Sequence, residues 1–185
     1  MQESDNLLRI FKETRKAVNS GDVAQIKNLS NQTTNTAALT NDPDNIAVAV
    51  VIYALSKILE RGNYRNLSGW NKFYKNYISA IDNIITSLEK NDEQVFKKNL
   101  ELIRTAIEKI SGKLKEYIQD VFRKASINKA SRLYEHGLSM ERTASLLGVS
   151  LYELAGYAGE RGHMEGTETN VNIKQRIKLV MDFFA

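Results

Sequence analysis

Apolar residues recur at alternating spacings of four and three in two successive segments, and this pattern limits the possible folds more than any other feature. The first segment contains Trp70, Tyr74, Tyr77, Ile81, Ile84 and Leu88, and the second contains Phe96, Leu100, Ile103, Ile107, Ile110, Leu114, Tyr117 and Val121. Such spacing places the apolar side chains along one face of a helix. Because only Lys90, Asn91 and Asp92 separate the two segments, we expect an antiparallel helical hairpin with a shallow crossing angle of about +20°.

The second helix of this hairpin is longer than the first. Residues 92–110 can pair with residues 70–88. The remaining residues, 111–123, extend about 20 Å further at 1.5 Å per residue. We expect this extension to pack on other helices of the chain. The alternatives are a kink at Gly112 and contact with a second molecule.

Composition points to an all-α chain and excludes several classes of protein. The 185 residues include one proline and 10 glycines, so few positions force a helix to stop. The absence of cysteine excludes a disulfide framework, a thiolate zinc site and a cysteine nucleophile. His136 and His163 are far apart in sequence and lack a helical metal-binding spacing. We therefore expect no metal, no cofactor and no catalytic site.

Membrane insertion and secretion are not expected. The longest apolar run, residues 46–55, is about half of the 20 residues that a membrane-spanning helix needs. The N-terminal residues lack the basic and apolar regions of a secretory signal, so a cytoplasmic location is expected. The net charge of +4 is compatible with a polyanionic partner but does not require one.

The N-terminal third predicts two clear helices and one doubtful one. Residues 5–19 form an amphipathic pattern. Asp42 and Pro43 are good residues for the start of a helix, which we expect to run over 43–61 and, being apolar all round, to occupy the centre of a bundle. Residues 30–36 predict a weak or broken helix, because serine, threonine and asparagine side chains compete for backbone hydrogen bonds. The alternative interpretation makes these side chains a ligand surface.

Three short helices are predicted within residues 127–160. The first lies around residues 129–136 and ends at a glycine. Ser139 caps the second helix. A turn of three residues that begins at Gly148 then leads into the third helix, which starts at Leu151 and ends near residue 158.

Ala144, Gly148 and Leu154 have a spacing with a clear physical meaning. A small residue lets two helices cross closely, glycine accepts a left-handed turn conformation, and the later aliphatic residue fills the space between the helices. In these three positions the segment 127–160 resembles the prokaryotic helix-turn-helix. The resemblance implies that the third helix reads duplex DNA.

Six residues are candidates for DNA contact. They are Lys129, Arg132, Arg142, Ser150, Tyr152 and Arg161. The segment 104–132 carries eight cations and three anions, a net charge of +5, and predicts a basic surface that leads into the motif. The third helix departs from the expected pattern, because it has no lysine or arginine up to residue 160 and Glu153 would repel phosphates. The alternative is that the cations only solvate the outer face of a long helix.

A polar, glycine-containing linker is predicted over residues 159–174, followed by an amphipathic terminal helix. The apolar face of this helix contains Ile173, Ile177, Val180, Met181 and Phe184, and the opposite face contains Lys174, Arg176 and Lys178. The C-terminal third is loosely similar to the helical repressor modules of small prokaryotic antitoxins. This similarity implies a partner-binding tail, with Ile173, Ile177, Val180 and Phe184 as its contacts. We expect the tail to dock on its own chain or on a second copy, and a groove on another protein is the alternative.

These features predict three regions and one leading function. The regions are a helical bundle over 1–123, a helix-turn-helix-like module over 124–160 joined to it by a continuous helix, and a linker with a terminal helix over 161–185. The leading hypothesis is a non-enzymatic, homodimeric DNA-binding regulator whose bundle serves assembly or partner sensing. The alternative is a helical protein-interaction scaffold whose module does not bind DNA. An enzyme would need a polar pocket near residues 30–36.

Overall fold

A computed structural model of the chain describes residues 3–40 and 42–164, with the backbone alone at residues 63, 104 and 158–164. Over these ranges the protein consists of α-helices without a strand, so the all-α prediction is confirmed. The helices are α1 (Ser4–Ser20), α2 (Val23–Thr40), α3 (Pro43–Glu60), α4 (Trp70–Glu89), α5 (Glu93–Glu108), α6 (Gly112–Glu135), α7 (Met140–Leu147) and α8 (Leu151–Met164). A short 3₁₀ turn, Gly62–Tyr64, lies between α3 and α4.

The central helix of the bundle is α3. The Asp42 carboxylate accepts a hydrogen bond from the Asp44 backbone N–H at 2.9 Å, and Pro43 occupies the first helical position. Because its apolar residues surround the axis, α3 is buried on several sides and contacts α2, α5, α6 and α7. It ends at Glu60, one residue before the predicted end.

The predicted break in α2 does not occur, because the polar side chains of this segment are satisfied within the helical packing. The hydroxyls of Thr33 and Thr34 donate to the carbonyls of Leu29 and Ser30, at 3.0 and 2.8 Å. The Ser30 hydroxyl donates to the Ala49 carbonyl of α3 at 2.7 Å. These three hydroxyl-bearing residues are buried, so they do not form a ligand surface, and Ser30 joins α2 to α3.

The prediction of one long helix from residue 92 to residue 123 is wrong, because α5 ends at Glu108 and a separate helix, α6, begins at Gly112. Ser111 has an extended backbone, and Gly112 starts α6 with a φ of +61°. A left-handed conformation is accessible to glycine at little cost, so the chain changes direction at Gly112. The α4 and α5 helices pack against each other across a three-residue connection, and α6 packs on α3.

One continuous apolar core fills the bundle. It includes Phe11 of α1, Ile52 of α3, Tyr77 of α4 and Phe96 of α5, each at or near zero exposure. The Tyr77 hydroxyl donates to the Val51 carbonyl at 2.8 Å, so its polar atom is satisfied inside the core. Burial raises the pKa of Tyr77 well above its ordinary value.

The last long helix, α6, passes without interruption from the bundle into the C-terminal module. The predicted boundary between residues 123 and 124 therefore lies inside a helix. None of the helices in the described ranges has the length and apolar content to cross a membrane. The same residues bring together no group of three or more histidine, aspartate and glutamate side chains that could hold a metal ion.

Candidate nucleic-acid interface

A tight turn joins α7 to α8. The Ser139 hydroxyl accepts a hydrogen bond from the Arg142 backbone N–H at 3.2 Å and caps the start of α7. Gly148 ends α7 with a φ of +63°, and the Val149 N–H donates to the Ala144 carbonyl at 3.1 Å. This is the left-handed helix end for which glycine is the preferred residue. The helix limits and the cap at this turn match those expected from the sequence.

A small apolar core holds the module together. It consists of Ala130 of α6, Ala144 of α7 and Leu154 of α8, which are at most 4% exposed. Leu147 and Val149 pack against this core. The structure thus brings two of the predicted core residues into contact and places the third, Gly148, at the turn between their helices.

The inner face of α8 is fixed to α6 by polar contacts. Glu153 accepts a hydrogen bond from Arg123 Nε at 2.8 Å, and the Asn128 amide donates to the Tyr157 hydroxyl at 3.0 Å. Ser150 caps α8, since its hydroxyl accepts from the Glu153 N–H at 3.1 Å and donates to the Glu153 carboxylate at 2.7 Å. Glu153, which the sequence predicts to repel phosphates, therefore has a cationic partner in Arg123.

These contacts stabilise the ionised form of the Glu153 carboxyl group. The hydrogen bond from Arg123 lowers the pKa of Glu153 to about 2, with Ser150 contributing in the same direction. The cap and the ion pair occupy the Ser150 hydroxyl and the Glu153 carboxylate. Ser150 is thus a positioning residue of α8 in this structure.

The outer face of α8 is exposed at its N-terminal end. Leu151 is 47% exposed and Tyr152 is 89% exposed, and Ala155 and Gly156 are exposed as well. These positions are neutral, so this part of α8 presents an aromatic ring, an aliphatic side chain and exposed backbone. A ligand that approaches these four positions meets no charged side chain among them.

Lys129 is not a DNA-contacting residue, and this prediction is wrong. Its side chain is 0% exposed and lies between α6, α2 and α3. The Nζ atom donates to Asn31 Oδ1 at 3.0 Å and lies 4.5 Å from the centre of the Tyr53 ring. A buried ammonium needs such partners, because removing it from water is costly. Lys129 therefore connects three helices of the protein.

The other predicted cations differ in their exposure. Arg142 is exposed on α7, and Arg132 is half-buried with its Nε shielded from solvent. The side chain of Arg161 lies outside the described residues. Of the predicted DNA contacts whose side chains are described, Arg142 and Tyr152 are exposed at the module surface. Ser150 is exposed too, but its hydroxyl caps α8.

The basic segment 104–132 does not form one surface that leads to the motif. Arg123 pairs with Glu153, and Lys124 pairs with Asp120 at 2.8 Å. Lys109 and Lys113 lie at the opposite end of α6, where they line a cavity of about 380 Å³ together with Lys72 of α4. With 24 residues, α6 is about 36 Å long. The positive charge is therefore divided between two distant places.

Sequence reasoning missed the polar residues that attach α8 and α6 to the bundle. They are Asn31, Tyr53, Asn128 and Tyr157. One signal was present, because Lys129 lies four residues after the buried Ala125 and four before the buried Leu133. That spacing places Lys129 on the inner face of α6.

Comparison of the chain with protein-family models, with curated proteins and with solved structures gives no match. The predicted partner-binding residues Ile173, Ile177, Val180 and Phe184 lie outside the described residues. The predicted linker began at residue 159, but α8 continues to Met164, so residues 159–164 are helical.

Proposed function

We propose that the end of α6, α7 and α8 form a helix-turn-helix unit that binds duplex DNA. The observation that carries this proposal is that the described side chains of α8, at residues 151–157, pack through one face, which contains Glu153, Leu154 and Tyr157. The opposite face is exposed at the N-terminal end of α8. In helix-turn-helix proteins, the N-terminal residues of the second helix contact base edges in the major groove.

Two described side chains have separate roles in this proposal. Arg142 on α7 contacts a phosphate, because the first helix of the motif crosses the DNA backbone. Tyr152 on α8 enters the groove and makes apolar contact with base edges, such as a thymine methyl group. Leu151 contributes apolar area beside it. Because only Arg142 in the described part of the module is assigned to a phosphate, electrostatic attraction supplies a small share of the affinity for DNA.

The test is binding of the full chain to labelled duplex DNA at salt concentrations between about 50 and 200 mM. We expect Arg142→Ala to weaken binding to all sequences alike and to reduce the slope of log affinity against log salt by about 0.9. Tyr152→Ala should reduce the preference for one sequence over random DNA. Lys98→Ala, on an exposed position of α5, is the matched control for loss of a surface cation.

Two results would contradict the proposal. One is an absence of duplex binding at the lowest salt concentration. The other is an equal loss of binding in Lys98→Ala and Arg142→Ala, since that would mean a diffuse interaction with the whole basic surface.

The proposal includes a homodimer, in which two α8 helices lie about 34 Å apart to enter adjacent major grooves. Light scattering gives the mass in solution, and the spacing of half-sites in selected DNA gives the distance between the helices. A monomer that binds a single short site would contradict this part of the proposal.

A second candidate function is protein binding through the same face of α8. The observation that favours it is the neutral, partly apolar surface formed by Leu151, Tyr152 and Ala155. A photo-crosslinking amino acid at position 152 of the full chain separates the two functions. A crosslinked product that nuclease digests supports DNA binding, and a product that only protease digests supports a protein partner.

A further inference from the structure

An apolar groove lies between α3, α5, α6 and the end of α7. We call it the α3–α5 groove, and it has a volume of about 420 Å³. Its lining includes Ala47, Val50, Leu100, Ile103, Phe122 and Leu146. Ala47 is exposed, and Leu100, Phe122 and Leu146 are partly exposed. The groove is separate from the outer face of α8.

The groove results from the way in which α5 packs. This helix lies along α4 and contacts α3 and α6 in only a few places, since the chain turns at residues 109–111. The α3 helix is apolar on all sides, and at Ala47 its surface is exposed at the floor of the groove. An apolar surface of this kind is favourable to cover.

We propose that residues 173–184 of the same chain dock in the α3–α5 groove as an amphipathic helix. Ile173, Ile177, Val180 and Phe184 are spaced by four, three and four residues, so they lie on one face of a helix. Twelve residues make a helix about 18 Å long. The lining residues of α5 extend from Lys97 to Ile107, or about 15 Å along that helix. The occupant and the groove are thus similar in length.

The tail follows directly on the module that borders this groove. The α8 helix ends at Met164 and packs on α7, whose residues Leu146 and Leu147 line the groove. Residues 165–172 span up to about 26 Å when extended. The occupant therefore starts beside the module that borders its binding site.

The charges of the two surfaces are complementary. The groove rim carries Asp44 and Glu101 with one lining cation, Lys97, which lies 3.6 Å from Asp44. The tail segment 173–184 contains three cations, Lys174, Arg176 and Lys178, and one acid, Asp182. The opposite net charges favour association of this segment with the groove. This inference does not depend on whether the module binds DNA.

Disulfide trapping tests the proposal in the full chain, which has no cysteine of its own. We expect the pair Ala47→Cys and Ile177→Cys to form an intramolecular disulfide on mild oxidation. The matched control pairs Ile177→Cys with Ala24→Cys, an exposed position on α2. A crosslinked monomer at least about tenfold more abundant than in the control supports docking within one chain.

Other outcomes of the trapping experiment overturn the proposal. Crosslinked dimers in place of monomers mean that the groove accepts the tail of a second copy. Equal crosslinking in both pairs means that the tail does not select the groove.

Hydrogen exchange gives a second, independent readout on the full chain. Isolated helices of this length are marginal in water, so protection of amides 173–184 reports docking. Ala47→Trp fills the groove, and we expect exchange of these amides to become about tenfold faster while α1–α6 amides are unchanged. Ala24→Trp is the control. Exchange of amides 173–184 at unstructured rates in the unaltered chain, or protection that survives Ala47→Trp, overturns the proposal.

Discussion

The bundle and the C-terminal module are held together by very different amounts of buried apolar surface. One continuous core joins α1 to α5 and the first part of α6, whereas the module is held by two small clusters, one of Ala130, Ala144 and Leu154 and one in which Leu133 and Leu138 pack with Ala37 and Ile46 of the bundle. The module depends in addition on caps, on the ion pair between Arg123 and Glu153, and on two left-handed glycines, Gly137 and Gly148. Stability in a protein varies from region to region, and a region with few buried contacts opens more easily. The exposed face of α8 thus belongs to the region that opens more easily, and we expect a single substitution there to change the stability of the module more than that of the bundle.

The largest effect is expected in the bundle, from Phe11→Ala. Phe11 is fully buried on α1, and its removal leaves a cavity in the continuous core. We expect the free energy of unfolding to fall by about 3–5 kcal/mol, with α1–α6 losing protection together. Urea denaturation followed by circular dichroism measures this change. A loss below about 1 kcal/mol would mean that α1 is not part of the common core.

Leu154→Ala makes the corresponding change in the module, because Leu154 is as fully buried there as Phe11 is in the bundle. The local cost is about 2–5 kcal/mol for loss of a buried leucine side chain. We expect amides 140–157 to exchange faster while the bundle amides keep their protection. If α1–α5 amides accelerate by the same factor, the module and the bundle are one cooperative unit and the distinction between them fails.

Much of the bundle could be predicted from apolar spacing and from helix ends. The spacing from Trp70 to Leu88 indicated α4, and Asp42 with Pro43 indicated the start of α3. The break at Gly112 was weighed only as a kink, because an apolar repeat continues across it and spacing alone does not reveal the φ of a glycine. The continuity of α2 was missed because its hydroxyls are satisfied by carbonyls such as that of Ala49, a partner on another helix.

The module could be predicted in its backbone but not in its charges. The pattern of Ala144, Gly148 and Leu154 requires only local geometry, and the structure places these residues at the contact and the turn. Whether a cation is exposed depends on which helices lie beside it. Lys129 was assigned to the surface for its charge, yet its position on the inner face of α6 determines where it lies.

Lys129→Met tests whether this cation belongs to the bundle or to the DNA interface. The substitution removes the hydrogen bond to Asn31 and the contact with the Tyr53 ring. We expect a loss of about 1–3 kcal/mol in the free energy of unfolding, because the half-buried Asn31 Oδ1 loses its donor. The salt slope of DNA binding should be unchanged. Arg142→Ala should do the opposite: we expect it to reduce the salt slope of DNA binding and to change the free energy of unfolding by no more than about 0.5 kcal/mol.

Gly148 and Gly156 of the module should respond with opposite signs to substitution by alanine. Gly148 has a φ of +63°, and no atom lies within 4 Å of the position of an added Cβ, so Gly148→Ala meets backbone strain alone. We expect this strain to destabilise the module by about 1–2 kcal/mol. Gly156 is helical and equally open, so Gly156→Ala should stabilise α8 by about 0.5–1 kcal/mol. Hydrogen exchange of α7 and α8 measures both, and a common sign would contradict the turn geometry.

The smallest effect concerns pH and the ion pair between α6 and α8. Arg123 and then Ser150 lower the pKa of Glu153 to about 2, so the folded state favours the ionised carboxylate. The resulting stabilisation is complete above the pKa of about 4.3 expected in the unfolded chain, and it is lost as the pH falls towards 2.

Glu153→Gln removes this dependence. We expect the unaltered chain to have the higher melting temperature at pH 6, and the two melting temperatures to converge between pH 4 and pH 2. Arg123→Met should behave in the same way, since it removes the largest cause of the lowered pKa. A difference between the chains that is the same at pH 6 and pH 2 would mean that α8 is held by Leu154 and its apolar neighbours alone. In that case the polar contacts of the module would contribute nothing to the contrast with the bundle.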